Sequence, residues 1–196
     1  LHIHFGSPGD ILPGLIRKYG VTELHLQREW TRDECLALEG VRKRLPSGVA
    51  VHEYYQQFLF HPDDVPYNTF DDIPDVFTGF RKKCEKRVTV REPENAPARR
   101  ETLYAPAENS DLPGWEAFGM EPPRADSRTA FPFRGGEVAA WDRLQEYFWE
   151  TRFLSTYKRT RNGLVGTRYS TKFSPWLANG SLSARQIYRQ VQRYER

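Results

Sequence analysis

Long uninterrupted apolar runs are absent from this sequence of 196 residues, of which 38% are hydrophobic. A membrane-spanning helix needs about 20 consecutive apolar residues, so the sequence predicts no insertion into a membrane. The basic, apolar and small-residue pattern of a secretory signal is also missing. Cys35 and Cys84 are the only cysteines, and both fall in predicted helices with polar neighbours. We therefore expect free thiols in a reducing intracellular compartment, which is the cytoplasm if the source is bacterial.

Patterns typical of metal sites and of hydrolytic nucleophiles are missing as well. The five histidines, His2, His4, His25, His52 and His61, show no ligand spacing along the chain, so no metal is expected. The sequence contains no nucleophile-elbow motif, in which a catalytic residue sits at a sharp turn between a strand and a helix. It also has no convincing pair of carboxylates for hydrolysis. These observations give no support to a hydrolase.

Acidic residues are scarce in the C-terminal part of the chain. From Thr151 to Arg196 there are ten basic residues and one acid, Glu195, so this segment carries ten minus one, or +9. The whole chain carries +3, which leaves −6 for the remainder. Such one-sided charge suits a polyanion such as DNA, although arginine-rich helix faces also occur as plain solvated surface.

Apolar patterns alternate between strands and helices at the start of the chain. Strands are predicted at residues 1–5, 21–26 and 49–55, with helices between them at 10–20 and 31–45. This order predicts an α/β fold with a Rossmann-like parallel sheet.

The pattern then changes twice. A helix is predicted at 76–88, and from residue 89 to 133 prolines recur without sustained periodicity, as in a long interdomain linker. Helical spacing returns after Gly136, and Ser183 with Gln186 has the form of a capping box at the start of a last helix. We therefore predict an α/β domain at 1–88, a linker at 89–133 and the beginning of an all-helical domain at 134–196.

Hydroxyl groups cluster just ahead of the short helix-compatible run that starts at Pro175. Ser170, Thr171 and Ser174 lie there, and unpaired N–H groups with hydroxyls at a helix start favour a phosphate group. The alternative is an ordinary helix start in which Ser174 caps a backbone N–H. Local chemistry alone leaves both interpretations open.

Several ordered motifs resemble the photolyase/cryptochrome flavoproteins, and most closely the DASH-type cryptochromes. They are FPFRGGE at 131–137, YFW at 147–149, YKRTRNG at 157–163 and YSTKFSPWL at 169–177. Upstream, DVFTGFRK at 75–82 resembles the end of the family's N-terminal α/β domain. Ser181 and Ala184 occupy positions where DASH-type members are expected to have cysteine and proline. These two differences count against the subgroup more than against the family.

The resemblance implies that the helical domain binds FAD. In the family, a tyrosine and the loop that follows it hold the flavin diphosphate. The matching positions in this sequence are Tyr157, Ser170, Thr171, Lys172, Phe173 and Ser174. Hydroxyls, backbone N–H groups and a lysine are suitable donors for a pyrophosphate. For Phe173, packing in the protein core is the alternative.

Two further positions carry roles implied by the resemblance. Arg161 matches a family arginine that reaches the DNA backbone, and Lys158 and Arg159 are weaker matches for the same role. Glu85 matches a glutamate that contacts the pterin of a folate antenna, methenyltetrahydrofolate. A solvent-exposed turn is the alternative for Arg161, and a surface ion pair is the alternative for Glu85.

The implied activity is blue-light, FAD-dependent repair of cyclobutane pyrimidine dimers in damaged or single-stranded DNA. This activity belongs to the carbon–carbon lyases, in which the cofactor rather than a catalytic side chain carries the chemistry. The implied protein is a monomer. A photoreceptor that signals without repair, or an inactive truncated fragment, is the alternative. Because both ends look cut within elements and only the first half of the flavin site is expected, the isolated chain should bind FAD weakly or not at all.

Overall fold

The computed structural model describes residues 3–94, 112–124 and 126–196. Contacts divide the chain into two compact units, each built from two separate segments. The first unit comprises residues 1–55 and 96–124, and the second comprises residues 56–95 and 125–196. The predicted domain boundaries at 88 and 133 remain a prediction.

The first unit is built on two parallel strands and two helices. Helix α1 spans Pro8–Tyr19, strand β1 Glu23–Gln27, helix α2 Arg32–Arg42 and strand β2 Ala50–Tyr54. The two strands pair in parallel, with Glu23 opposite Ala50 and Gln27 opposite Tyr54. Both strands alternate between exposed and half-buried residues, so one face of the sheet is covered and the other is exposed. The predicted α/β class with a parallel sheet is confirmed.

The core of the first unit lies between its helices. Pro13 and Ile16 of α1 are buried, as is Val41 of α2. A Cβ atom added to Gly9 of α1 would lie 3.1 Å from a backbone carbon of Gly40 in α2, so the absence of a side chain lets the helices approach closely. Within the predicted first strand, residues 3–5 are irregular and Phe5 is exposed. They have no hydrogen-bonded neighbour strand in the described residues, and a strand requires one.

The second unit is helical. Helix α3 spans Phe77–Arg87, α4 Glu137–Gln145, α5 Tyr157–Thr160, α6 Ser174–Ala178 and α7 Ala184–Tyr194. Helix α4 continues directly into a π-helical turn at Glu146–Glu150, and a 3₁₀ turn at Phe153–Thr156 leads into α5. Two further 3₁₀ turns, Pro62–Asp64 and Phe70–Asp72, precede α3.

Aromatic side chains dominate the core of the second unit. Tyr147 and Phe148 of the π-helical turn and Trp176 of α6 are almost completely buried. The indole N–H of Trp176 donates to the carbonyl of Arg134 at 3.2 Å, which satisfies its only polar group. The rest of this buried cluster is Ala140, Leu144, Phe173 and Leu182. This core fixes the ends of the loop between α5 and α6, where the predicted phosphate-binding residues lie.

Candidate functional site

The loop ahead of α6 has an unusual backbone at Lys172. Its φ angle is 64°, in the left-handed region that side-chain-bearing residues rarely adopt. Phe173 follows in the right-handed helical region, with φ −76° and ψ −15°. Adjacent left- and right-handed residues turn successive N–H groups toward one side of the chain, and this arrangement forms anion-binding concavities.

A buried arginine, Arg143, anchors this loop by hydrogen bonds to its backbone carbonyls. The Arg143 side chain is 1% exposed, and its guanidinium donates to three loop carbonyls. Its Nη2 donates to Thr167 at 2.6 Å and Ser170 at 3.1 Å, and its Nε donates to Thr171 at 3.2 Å. The remaining Nη1 donates to the Glu146 carboxylate at 2.8 Å, so the buried charge is paired.

The setting of Arg143 is aromatic as well as polar. Its guanidinium lies 4.7 Å from the ring centroid of Phe133 and 4.9 Å from that of Tyr147. Burial raises the pKa of Tyr147, which therefore remains a neutral phenol beside the cation. Arg143 is the centre of a compact assembly that joins α4, the π-helical turn and the loop.

The orientation of the carbonyls determines where the loop N–H groups point. In a trans peptide, the C=O of one residue and the N–H of the next point in opposite directions. The carbonyls of Ser170 and Thr171 point at Arg143, so the amides of Thr171 and Lys172 point away from it. Neither amide donates to another group within the described residues. The loop therefore presents free N–H donors on the side opposite the buried cation.

The predicted hydroxyls are available in the same segment. Ser170, Thr171 and Ser174 make no side-chain hydrogen bond within the described residues. Phe173 rather than Ser174 holds the cap position of α6, and no side chain caps this helix. The self-capping alternative for Ser174 is therefore wrong. Because α6 has only five residues, its dipole is short, and anion binding would depend mainly on the loop donors and Lys172.

The other predicted cofactor residues lie in different surroundings. The Lys172 ammonium lies 3.5 Å from the ring centroid of Tyr169, a cation–π contact that holds the charge at the loop. Tyr157 is half-buried at the start of α5 and packs on the aromatic core. The Phe173 side chain is 5% exposed and lies in the core, so its backbone amide is the group that can face a ligand.

Arg161 lies in an exposed turn that approaches the same loop. Its amide donates to the Tyr157 carbonyl at 2.9 Å and closes α5, while its side chain is exposed. A Cβ atom added to Gly163 would lie 2.9 Å from the Tyr169 Cβ and 3.2 Å from the Thr160 carbonyl oxygen. Only glycine therefore allows the turn with Arg161 to pack against the loop through Tyr169.

Glu85 lies on the exposed surface of α3. Its carboxylate accepts from Arg81 at 2.6 Å, an i,i+4 pair in which both side chains are about half exposed. This surface pairing is the alternative that the sequence left open for Glu85. Its hydrogen-bond and ion-pair partner, Arg81, is not one of the other predicted site residues.

Arg143, which anchors the loop of the candidate site, was not predicted from the sequence. It resembles any basic residue of an amphipathic helix, and its carbonyl partners lie 24 to 28 positions further along the chain. Its place between Ala140 and Leu144, in line with the apolar face of α4, is the one sequence signal that indicates burial.

Comparison with known proteins identifies the family. The model of the family described as DNA photolyase matches residues 1–100. The chain belongs to the DNA photolyase family. The cryptochrome DASH of Gloeobacter violaceus is 39% identical over the whole chain, and that of Xenopus laevis is 38% identical over 97% of it. The chain spans 39% and 37% of the lengths of these two relatives.

Solved structures of the photolyase family agree with this assignment. A Synechocystis cryptochrome superposes with a TM-score of 0.86 at 39% identity, covering 97% of this chain and 39% of that one. A class III photolyase of Agrobacterium tumefaciens superposes with a TM-score of 0.69 at 21% identity, covering 94% of this chain and 38% of that one. The predicted membership of the photolyase/cryptochrome family, with DASH-type relatives, is confirmed.

Two expectations concern the membrane and the thiols. Among the described residues, no helix is both long enough and apolar enough to cross a bilayer. Cys35 and Cys84 are both free thiols, as expected, and Cys84 is buried.

Proposed function

We propose that the whole protein binds FAD through the loop at 167–174 and repairs cyclobutane pyrimidine dimers in single-stranded DNA under blue light. The chain spans about two fifths of its curated relatives, so the proposal concerns the protein to which this chain corresponds. The observation that carries it is the loop whose carbonyls are held by buried Arg143 and whose N–H groups point away from it.

The donors of the loop fit a flavin diphosphate. The amides of Thr171 and Lys172 and the hydroxyls of Ser170 and Ser174 have no competing protein partner in the described segments. Arg143 fixes the backbone in advance, so binding an anion requires little reordering of the loop. Lys172 contributes positive charge and Tyr157 a phenol donor. When bound, FAD supplies the light-driven electron transfer that splits the dimer.

The DNA side of the proposal depends on the exposed turn. Arg161 is exposed beside Lys158 and Arg159, and a guanidinium here neutralises a backbone phosphate without reading sequence. Because Gly163 packs this turn against Tyr169, the proposed DNA contact is adjacent to the proposed phosphate-binding loop. A dimer must leave the base stack to reach a buried cofactor, and this costs least in single-stranded DNA.

The remaining parts of the proposal follow the family. Methenyltetrahydrofolate is proposed as the antenna, with Glu85 as its pterin contact after release from Arg81. We propose a monomer in a reducing compartment, the cytoplasm in a bacterium, where Cys35 and Cys84 stay reduced.

Light-dependent loss of dimers from an irradiated single-stranded oligonucleotide tests the activity of the full-length protein. We expect repair in blue light with reduced FAD, and none in the dark. Bound, reduced FAD without any repair would overturn the lyase proposal and favour a photoreceptor that signals without repair.

A separate titration tests the role of the loop. The triple substitution Ser170→Ala, Thr171→Ala and Ser174→Ala removes three donors, so we expect at least about tenfold weaker FAD binding by the full-length protein. Ser127→Ala, at an exposed turn outside the loop, serves as the matched control. Equal flavin affinity of the two variants would contradict the assignment of the loop.

A further inference from the structure

The exposed face of the sheet in the first unit carries a cluster of two histidines and a glutamate. His25 of β1 lies directly opposite His52 of β2 in the parallel register. Their rings stack with centroids 4.7 Å apart and planes 15° from parallel. Glu23, two residues before His25, projects to the same face because side chains alternate along a strand. Strand pairing thus brings together residues that are far apart in the sequence.

The ligand atoms of this cluster converge. The Glu23 Oε2 atom lies 3.0 Å from the His25 Nε2 and 3.7 Å from the His52 Nε2, and all three ligand atoms lie within 4.8 Å of one another. Zinc bonds of about 2.0–2.1 Å in a tetrahedron place neighbouring ligand atoms roughly 3.3 Å apart. The two measured separations lie on either side of that value. Because the stacked imidazoles are nearly parallel, one ring must turn for both nitrogen lone pairs to point at one ion, and the exposure of both rings leaves room for this.

A neighbouring tyrosine supports the orientation of one ligand. The hydroxyl of Tyr54 is 2.9 Å from the Nδ1 of His25. When the Nδ1–H donates to this hydroxyl oxygen, Nε2, the atom that faces Glu23, carries the lone pair that a metal ion needs. Histidine ligands in metal sites are ordinarily held in this way by a partner on the other ring nitrogen.

We propose that Glu23, His25 and His52 form a binding site for a divalent transition-metal ion of the zinc type. Two imidazoles and one carboxylate match the donors that zinc takes, whereas magnesium and calcium prefer oxygen ligands alone. The three side chains are between 43% and 57% exposed, so water has access to a fourth position. The site lies wholly within the first unit and requires neither FAD nor DNA.

Calorimetric titration of the metal-free protein with Zn²⁺ tests the proposal. We expect one ion per chain with micromolar affinity, unchanged by excess Mg²⁺. His52→Gln and Glu23→Gln each remove one ligand at an exposed position, and we expect affinity to fall by about tenfold or more. Circular dichroism checks that these variants are folded.

His4→Ala is the matched control, since His4 is another exposed histidine of the same unit and lies outside the cluster. We expect this variant to bind as the unsubstituted protein does. In NMR spectra of the histidine rings, Zn²⁺ should shift the signals of His25 and His52 and leave that of His61 in place. Absence of micromolar binding, or an equal loss in His4→Ala and His52→Gln, would overturn the proposal.

Discussion

The loop at 167–174 and helix α3 were both expected to contact a cofactor, but they are held in different ways. The loop is anchored from inside by Arg143, a cation that is 1% exposed and bound to three carbonyls. On α3, Glu85 is held by one exposed i,i+4 partner, Arg81. The loop has free donors on a backbone that Arg143 holds, whereas α3 offers an acceptor that is already occupied.

The two regions differ in the groups that they leave available to a ligand: backbone N–H groups in the loop, and an already paired carboxylate on α3. Where the protein satisfies the backbone carbonyls itself, the opposite N–H groups are left over and can bind an anion. Where the functional side chain has a surface partner, ligand binding must first displace that partner. We therefore regard the loop as the better supported of the two proposed cofactor contacts.

Removal of Arg143 should cause the largest loss of stability, because it removes the anchor that distinguishes the loop from α3. Arg143→Met leaves three carbonyls and the Glu146 carboxylate without their donor, and we expect a loss of about 3–5 kcal/mol in the free energy of unfolding. Urea denaturation measures this loss, and amide hydrogen exchange should accelerate in the loop. Arg159→Met, at an exposed position, is the control and should change stability by less than about 0.5 kcal/mol. Similar values for the two variants would mean that Arg143 does not anchor the loop.

The close approach of the turn at Gly163 should be the next most sensitive feature. Gly163→Ala places a Cβ atom 2.9 Å from that of Tyr169, and we expect a loss of about 1–3 kcal/mol by thermal or urea unfolding. Gly135→Ala is a matched control, because no atom lies within 4 Å of the Cβ position there. If Gly163→Ala were as stable as Gly135→Ala, the packing of the turn against the loop would be refuted.

Acid should weaken the segments that flank α3. Arg91 donates to Asp64 through Nε at 2.6 Å and Nη2 at 2.7 Å, and this hydrogen bonding lowers the pKa of Asp64. The pair therefore contributes stability in full above the ordinary aspartate pKa of 3.8, and loses it as pH falls through the lower folded-state pKa. Asp64→Asn should melt at a lower temperature than the unsubstituted protein at neutral pH.

This difference in melting temperature should disappear in strong acid, where both proteins lack the charged pair. Because the pair is partly exposed, the difference should be smaller than for the two preceding variants. Asp71→Asn, in a neighbouring exposed turn, is the control. A melting difference between Asp64→Asn and the unsubstituted protein that persisted unchanged into strong acid would contradict this origin.

The smallest effect is expected on α3 itself. A double-mutant cycle with Glu85→Gln and Arg81→Gln should give a coupling energy of about 0.3–0.5 kcal/mol, typical of an exposed i,i+4 pair. The same cycle with Arg87→Gln in place of Arg81→Gln should give none, because residues at i and i+2 do not face each other on a helix. A coupling well above 1 kcal/mol would show that Glu85 is held more firmly than its exposure indicates.

Local sequence signals predicted most elements of the fold. The capping box at Ser183 forms as expected: its hydroxyl accepts from the Arg185 amide at 3.2 Å, and Gln186 accepts from the Ser183 amide at 2.9 Å. Thr31 and Glu34 have the same spacing in the sequence, but Thr31 makes no side-chain cap, although α2 does begin directly after it. A capping box depends only on neighbouring residues, but an exposed one competes with water for the same donors.

Contacts between distant residues could not be predicted. The role of Arg143 depends on the path of a loop more than 20 positions away, and the histidine pair depends on strand register. Local hydroxyl chemistry indicated Ser170, Thr171 and Ser174, and resemblance to a family added the remaining predicted cofactor residues. Such a resemblance carries knowledge of distant contacts that spacing within one sequence lacks. Resemblance to a family does not settle what each side chain does. Phe173 matches a position in the family's cofactor-binding loop, but its side chain lies in the core.

The anchoring of the loop by Arg143 has a consequence for the order of folding. The guanidinium is on α4, and its carbonyl partners lie 24, 27 and 28 residues later, so these bonds close a sizeable stretch of chain. The left-handed backbone at Lys172 is unfavourable by itself and requires such contacts to persist. We therefore expect helix α4 and the aromatic core to assemble first, and the loop to reach its final shape among the last steps of folding.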